Sequence, residues 1–240
     1  MLSLDDIDLL SLDAGNTVIF LDHARLARLA NVDAQVLIES EGHAKRALSG
    51  LEPIVEVPWS FADAPGAHGW GRTLATMLAC AGVARDALPS LLDRVWKSHV
   101  ERNLYSVVPA GFEDAMERLR TAGVRVAIVS NSEGMLERLF EELGILGCFD
   151  VVVDSAKVGV EKPDARIFAI ACEKTGTVAS RALHLGDTYA TDVVGARNAG
   201  MRTALIDPFG HYTGLYEDVP RVVGVVEVSE GILRARSRKP

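Results

Sequence analysis

Four short clusters hold the side chains with chemical capacity in this chain. They are Asp13-Ala14-Gly15-Asn16-Thr17, Ser130-Asn131, Lys162-Pro163-Asp164, and Gly186-Asp187 with Asp192 five residues on. Asp13 closes the apolar run Ile7 to Leu12, and a carboxylate at the end of a buried strand is costly unless it is solvated, paired or metal-bound. A turn-forming aspartate is the plain alternative. Asp187 ends a matching run, and two or three carboxylates brought together favour a bound cation, with hard oxygen ligands selecting Mg²⁺. Such an ion would also screen an incoming phosphate from Asp13. Ser130 follows an apolar strand and precedes a helix, so it reads as a helix N-cap or a phosphate ligand; the two are compatible, because free N–H groups at a helix N-terminus bind anions. For Lys162, ahead of a helix begun by Pro163, an ordinary surface lysine is the plain alternative. Taken together, the clusters suggest a phosphate site.

The elements that must position these residues alternate strand and helix. Ile7 to Leu12 predicts a buried strand that stops at the Asp13 turn. Phe112 to Ala122 predicts an amphipathic helix, with Phe112, Ala115, Met116 and Leu119 on one face and Gly123 as its stop, and Val124 to Val129 predicts a second strand. The unit recurs as helix Glu133 to Leu143, strand Asp150 to Val153, helix Asp164 to Lys174, strand Ala182 to Leu185, helix Thr188 to Ala199 and strand Arg202 to Ile206. Such alternation means an α/β fold, a Rossmann-like parallel sheet with helices on both faces, whose ligands bind at the carboxyl ends of the strands. Asp13, Ser130 and Asp187 all fall at that edge. Between Ile19 and Asn103 the alternation gives way to helical spacing (Arg25 to Ala30, Asp33 to Ala47, Trp70 to Ala81, Ala87 to His99), with an irregular stretch from Glu52 to Gly69. The expected division is a core of residues 1–18 and 104–240 with an inserted helical domain at 19–103, about 85 residues and so within the usual domain range.

Composition narrows the partners. The 240 residues are 48% hydrophobic and 24% charged, which supports a buried core and excludes wholesale disorder. Against 33 Asp+Glu stand 25 Lys+Arg, a net charge of −8 that disfavours nucleic acid and anionic membrane as partners. The one basic cluster, Arg234, Arg236, Arg238 and Lys239, reads as a frayed terminus rather than a binding arm. Three cysteines at wide spacing support neither a disulfide framework nor a zinc knuckle. Asp5, Asp6 and Asp8 stand where a signal peptide needs basic residues, so a cytoplasmic location is expected. Oligomeric state is left open.

In order and on these elements, the four clusters resemble the motif set of the haloacid dehalogenase-like (HAD) hydrolase superfamily, and the resemblance covers the core from end to end. The insertion point after the first strand is similar to that of the family's helical, C1-type cap. The resemblance implies that Asp13 is a nucleophile forming an aspartyl-phosphate, and that Lys162 neutralises the nucleophile and the transferring phosphoryl group. It implies that Thr17, Ser130 and Asn131 contact the phosphate. It further implies that Mg²⁺ is held by Asp13, Asp187 and the backbone carbonyl of Gly15, with Asp192 in support. The substrate would be a small phosphorylated metabolite selected by the cap, where Trp59, Phe61, His68, Trp70 and Arg72 form the densest aromatic and cationic cluster; the plain reading of that cluster is cap core.

The chain departs from the pattern at two positions. Phosphatases of the family usually have a second aspartate two residues after the nucleophile, as general acid and then base, and here that position is Gly15. Losing a positioned acid-base group typically costs about 10²- to 10⁴-fold, most for alkyl phosphates, whose leaving groups need a proton. Asn16 replaces the usual loop glycine, although asparagine tolerates left-handed geometry better than most residues. Three readings follow. One is a Mg²⁺-dependent phosphohydrolase whose acid-base role is absent or supplied from the cap, with His23, Lys45 and His99 as candidates that also read as solvated or packed side chains. The second is a dehalogenase-type or phosphonate-cleaving carbon-centred hydrolase. For the phosphonate chemistry the inserted segment offers Lys45 and Lys97, while the Asp187–Asp192 pair argues for the metal-dependent branch. The third is a non-catalytic phospholigand-binding module.

Overall fold

The computed structural model describes residues 2–64 and 67–238. In chain order the elements are β1 (Leu9–Leu12), β2 (Phe20–Leu21), α1 (His23–Ala30), α2 (Ala34–Leu48), α3 (Ala67–Cys80), α4 (Leu88–Glu101), β3 (Tyr105–Val107), α5 (Phe112–Thr121), β4 (Arg125–Ser130), α6 (Leu136–Glu142), β5 (Val151–Asp154), α7 (Ser155–Val158), α8 (Ala165–Thr175), β6 (Ala182–Gly186), α9 (Val194–Asn198), β7 (Arg202–Ile206), β8 (Arg221–Val222) and α10 (Val225–Ser237). They fall into two compact units. The first comprises Met1–Phe20, Val107–Pro208 and Tyr216–Pro240; the second comprises Leu21–Ser106 and Phe209–Leu215.

The first unit is a six-stranded sheet in the order β5-β4-β1-β6-β7-β8, with parallel pairing throughout. Central strands buried on both faces read as continuous apolar runs, and β1 (Leu-Leu-Ser-Leu) is buried at all four positions. Alternate residues serve opposite layers. Leu9, Ala127, Val129 and Val153 pack with Ile167, Phe168 and Ala171 of α8, while Val126 and Ile128, the intervening positions of β4, are also fully buried. The strand order reverses between β4-β1 and β1-β6, so the crevice of a doubly wound sheet opens at the carboxyl ends of β1, β4 and β6.

The basic tail is corrected by the structure. Residues up to Ser237 form α10, whose Val225, Val228 and Ile232 are buried at helical spacing, and Arg236 donates to the Ile7 carbonyl at 2.8 Å. Lys239 lies outside the described residues. Among the described residues, no helix is long and apolar enough to cross a membrane.

The second unit packs α1 to α4 around Leu26, Leu37, Leu74, Met77, Leu92 and Val95. Asp22 and Asp33 cap α1 and α2, accepting from Arg25 N and from Gln35 and Val36 N. Trp59, Trp70, Trp96 and His99 form one aromatic cluster with ring centroids 5.0 to 5.7 Å apart. His99 is packed rather than poised: burial pushes its imidazole down to about 4, with Arg25 adding to the effect, and its Nδ1 accepts from Leu104 N at 3.2 Å. His23 pairs with the buried Glu41 at 2.9 Å, and burial opposed by His23 and Lys45 leaves the Glu41 carboxyl below its ordinary value.

Against the expected insertion at 19–103, the second compact unit runs Leu21–Ser106. Phe209–Leu215, placed by the sequence in the core, belongs to the second unit as well. His211 Nε2 donates to the Ile38 carbonyl at 2.8 Å, Arg46 donates to the His211 carbonyl at 2.8 Å, and Tyr212 is fully buried. Gly42 permits this approach, since a Cβ there would lie 2.9 Å from the His211 ring.

Candidate active site

Asp13, the first residue beyond β1, donates its backbone N–H to the Leu185 carbonyl of β6 at 2.9 Å, which fixes its backbone against the neighbouring strand. The chain then turns tightly. Val18 and Ile19 N–H groups both bond to the Ala14 carbonyl, Gly15 bridges to Ile19, and Asn16 sits at φ 54°, in the left-handed region that asparagine tolerates. Thr17 is fully buried, and its hydroxyl has no hydrogen-bond partner among the described residues.

Lys162 is no surface lysine. It is 5% exposed, and its ammonium lies 2.5 Å from Asp13 Oδ1 and 2.6 Å from Asp192 Oδ1. Its backbone is held separately: Asn131 Nδ2 donates to the Lys162 carbonyl at 3.0 Å, while Lys162 N–H donates to Asn131 Oδ1 at 2.7 Å. The Asn131 amide, expected at the phosphate, is thus committed to setting the lysine.

Asp187 and Asp192 follow β6. Gly186 allows the second of them to turn inward, because a Cβ at 186 would lie 2.2 Å from Asp192 Cγ. Asp192 is 1% exposed and takes protein donors on both oxygens: Lys162 and, at 3.4 Å, His184 Nε2 on Oδ1, and Thr188 N–H at 2.9 Å on Oδ2. Asp187 accepts from the Thr188 hydroxyl at 3.2 Å. Oxygen atoms of Asp13, Asp187 and Asp192 all lie within 4.8 Å of one another.

The electrostatics follow from burying three carboxylates with this ammonium. Burial pushes the Asp13 carboxyl up to about 6; Lys162 opposes that shift, and the charges of Asp192 and Asp187 add to it. For Asp192, burial is outweighed by Lys162 and His184, which hold it well below the usual carboxylate range. Burial would lower Lys162, but the two carboxylates hold its ammonium above the ordinary value. The lysine is therefore a fixed positive charge at neutral pH, and Asp13 is the carboxylate left short of compensation.

Ser130 closes β4, the strand beside β1, and is 5% exposed. It does not cap a helix: α6 begins at Leu136, not near Glu133, after an irregular loop. That loop is held by two residues the sequence reading missed. Asp154 Oδ1 accepts from Gly134 and Ala156 N–H, both at 3.1 Å, and Ser155 Oγ accepts from Ser132 N–H at 3.1 Å. A signal was present, since an aspartate closing a strand ahead of a helical turn is the usual N-cap arrangement.

Residues 72–200 match the haloacid dehalogenase-like hydrolase family. The chain is similar to the haloacid dehalogenase-like hydrolase domain-containing protein 3 of Xenopus laevis, 32% identical over 51% of this chain and 50% of that protein. It is likewise similar to a ribulose-1,5-bisphosphate 5-phosphatase of Halopiger xanaduensis, 33% identical over 51% of this chain and 50% of that one. The matched stretch thus spans about half the length of these curated relatives. Among solved structures, the L-2-haloacid dehalogenase RSc1362 superposes with a TM-score of 0.61 at 19% identity, covering 94% of this chain and 98% of that one, a likeness of fold.

Proposed function

The chain belongs to the haloacid dehalogenase-like hydrolases, and from that premise we propose that it is a Mg²⁺-dependent phosphohydrolase acting on small phosphorylated metabolites through an aspartyl-phosphate on Asp13. The observation that supports this most is the charge arrangement of the site. Three carboxylates meet one ammonium, and Asp13 is pushed up to about 6 although Lys162 touches it. An all-oxygen donor set short of positive charge suits a hard dication, and Mg²⁺ would be held by Asp13, Asp187 and the Gly15 carbonyl. When bound, the ion supplies Lewis-acid polarisation of the phosphoryl oxygens and neutralises charge between them and Asp13.

The protein's own groups do the rest. Asp13 attacks phosphorus as a carboxylate, with one oxygen held toward Lys162, while the P–O bond to the leaving group breaks and that group departs as its oxyanion; water then attacks the phosphorus of the aspartyl-phosphate, releasing inorganic phosphate and a proton to solvent and restoring the Asp13 carboxylate. The Lys162 ammonium balances the nucleophile and then the charge spread over the transferring group. Thr17 Oγ1, buried with no hydrogen-bond partner among the described residues, supports its reading as a phosphate contact, as does the place of Ser130 at the end of β4. Asp192, engaged on both oxygens, sets Lys162. The second unit is read as the family's cap, which would select the substrate and exclude water.

Gly15 brings no acid to the leaving group, so the reading favours acyl and aryl phosphates over alkyl ones. The same glycine favours a second reading, carbon-centred displacement of a halide, which needs no proton. The test is phosphate release from acetyl phosphate, an aryl phosphate and an alkyl panel that includes sugar phosphates, with Mg²⁺ and with chelator. Mg²⁺-dependent release confined to the good leaving groups is the expected result. Halide release from 2-haloacids, with no phosphate release from any substrate, would replace this reading with the second.

A further inference from the structure

Two fully buried polar side chains lie beneath the site, one of them the His184 that meets Asp192. Ser11 lies on β1, two residues before Asp13, and His184 lies on β6, two residues before Gly186. The two strands pair in parallel with Ser11 and His184 as register partners. Both are 0% exposed, and next to them in the sheet stand the apolar residues that pack against α8. An aliphatic side chain is the usual occupant of such a position, and a polar one costs free energy unless its donors and acceptors are met. Here they are met. Ser11 Oγ lies 2.9 Å from His184 Nδ1, and His184 Nε2 lies 3.4 Å from Asp192 Oδ1. The Phe168 ring stands at 84° to the imidazole, with centroids 4.9 Å apart, and fixes its plane.

The acceptor at one end dictates every proton in the chain. A carboxylate can only accept, so Nε2 must carry the hydrogen. In a neutral ring Nδ1 is then an acceptor, and the Ser11 hydroxyl must donate to it. Burial favours that neutral ring. We propose that Ser11 and His184 form a buried relay that positions Asp192 and, through it, the Lys162 ammonium against Asp13, making His184 a positioning residue for the nucleophile's counter-charge. Lys162 is then set from two directions, its backbone by Asn131 and its head by a carboxylate braced from below. Residues that orient a charged group without touching substrate typically alter activity by about 10- to 100-fold when removed.

The catalytic arm of the test rests on the phosphohydrolase reading; the spectroscopic arm does not. In the full chain, ¹⁵N-histidine NMR at neutral pH, with His184 assigned by its loss in His184→Asn, is expected to show the Nε2–H tautomer, and Ser11→Ala is expected to shift its Nδ1 resonance. An Nδ1–H tautomer would overturn the relay. In turnover of acetyl phosphate with Mg²⁺, His184→Asn retains a partner for Ser11 but cannot reach Asp192. It is expected to lower kcat at least about tenfold with KM within about twofold, whereas His184→Gln, which restores a donor at the Nε2 position, is expected to recover kcat to within about threefold of wild type. Equal kcat in the two variants, or a change in melting temperature alone, would overturn the proposal. A wild-type protein that shows the Nε2–H tautomer but releases no phosphate would leave the relay standing and remove the function it was assigned to serve.

Discussion

At the scale of single residues, the site turns on the contrast between Asp13, which has a lysine but is short of positive charge, and Gly15, which offers no side chain. Asp13→Asn deletes the nucleophilic charge with almost no change of shape, so turnover of acetyl phosphate is expected to vanish while the far-UV circular dichroism spectrum is unchanged. Residual activity above about 10% of wild type would remove Asp13 from the nucleophile's role. Gly15→Asp supplies the missing acid and is expected to raise hydrolysis of alkyl phosphates more than that of acetyl phosphate; a uniform effect on both would show that proton delivery is not what limits the enzyme. The raised Asp13 carboxyl also sets a pH dependence. Its folded value, about 6, exceeds the roughly 3.9 of an unfolded aspartate, so without metal the folded state holds a proton that the unfolded state has lost. Its contribution to stability is present at low pH and is lost as pH rises through about 6. A dication must compete with that proton at pH 5 but not at pH 7.5, so the rise in melting temperature produced by a fixed Mg²⁺ concentration is expected to be larger at the higher pH. Equal increments would mean that Asp13 does not share the ion.

Single residues hold their places because the elements end where they do. Gly186 is the last residue of β6, and Gly186→Ala would drive a methyl into Asp192 at 2.2 Å. The expected cost is about 1–3 kcal/mol in urea unfolding together with a drop in kcat, and a variant with wild-type kcat would show that the site tolerates a displaced Asp192. The strand ends that carry Asp13, Ser130 and Asp187 were legible in the sequence because each closes an apolar run, and burial on both faces demands such runs of a parallel sheet. The approach to α6 was not. Helical spacing extends back to Glu133, but Gly134 and Leu136 N–H groups bond to Asp154 from another part of the chain, and local periodicity cannot register that competition. The expected helix from Thr188 opens instead as a wide π turn, Tyr189–Val193, which brings Asp192 back to the Thr188 N–H and to Lys162. Nor could spacing reveal the role of Asn131, whose amide meets the Lys162 backbone across 31 residues of sequence.

For the molecule as a whole, the pattern of alternation located the sheet and the helical insertion but not the return of Phe209–Leu215 to the second unit, because seven residues carry no period of their own. That segment is held by packing, and two glycines on neighbouring helices make the point testable. Gly42 in α2 faces His211 with no room for a Cβ, whereas Gly69 in α3 has nothing within 4 Å. Gly42→Ala is expected to lower the free energy of unfolding measured in urea, and Gly69→Ala to hold or raise it by up to about 1 kcal/mol, since alanine is the better helix former. The same direction for both would mean that the segment does not constrain α2. The aromatic cluster of this unit has an optical consequence. The chain has three tryptophans, and Trp59, Trp70 and Trp96 all belong to the second unit. Intrinsic indole emission is therefore a reporter confined to the helical unit, blind to the sheet that holds Asp13 and Lys162, and a fluorescence melt that fails to coincide with the circular dichroism melt would resolve the two units as separate cooperative transitions without any introduced label.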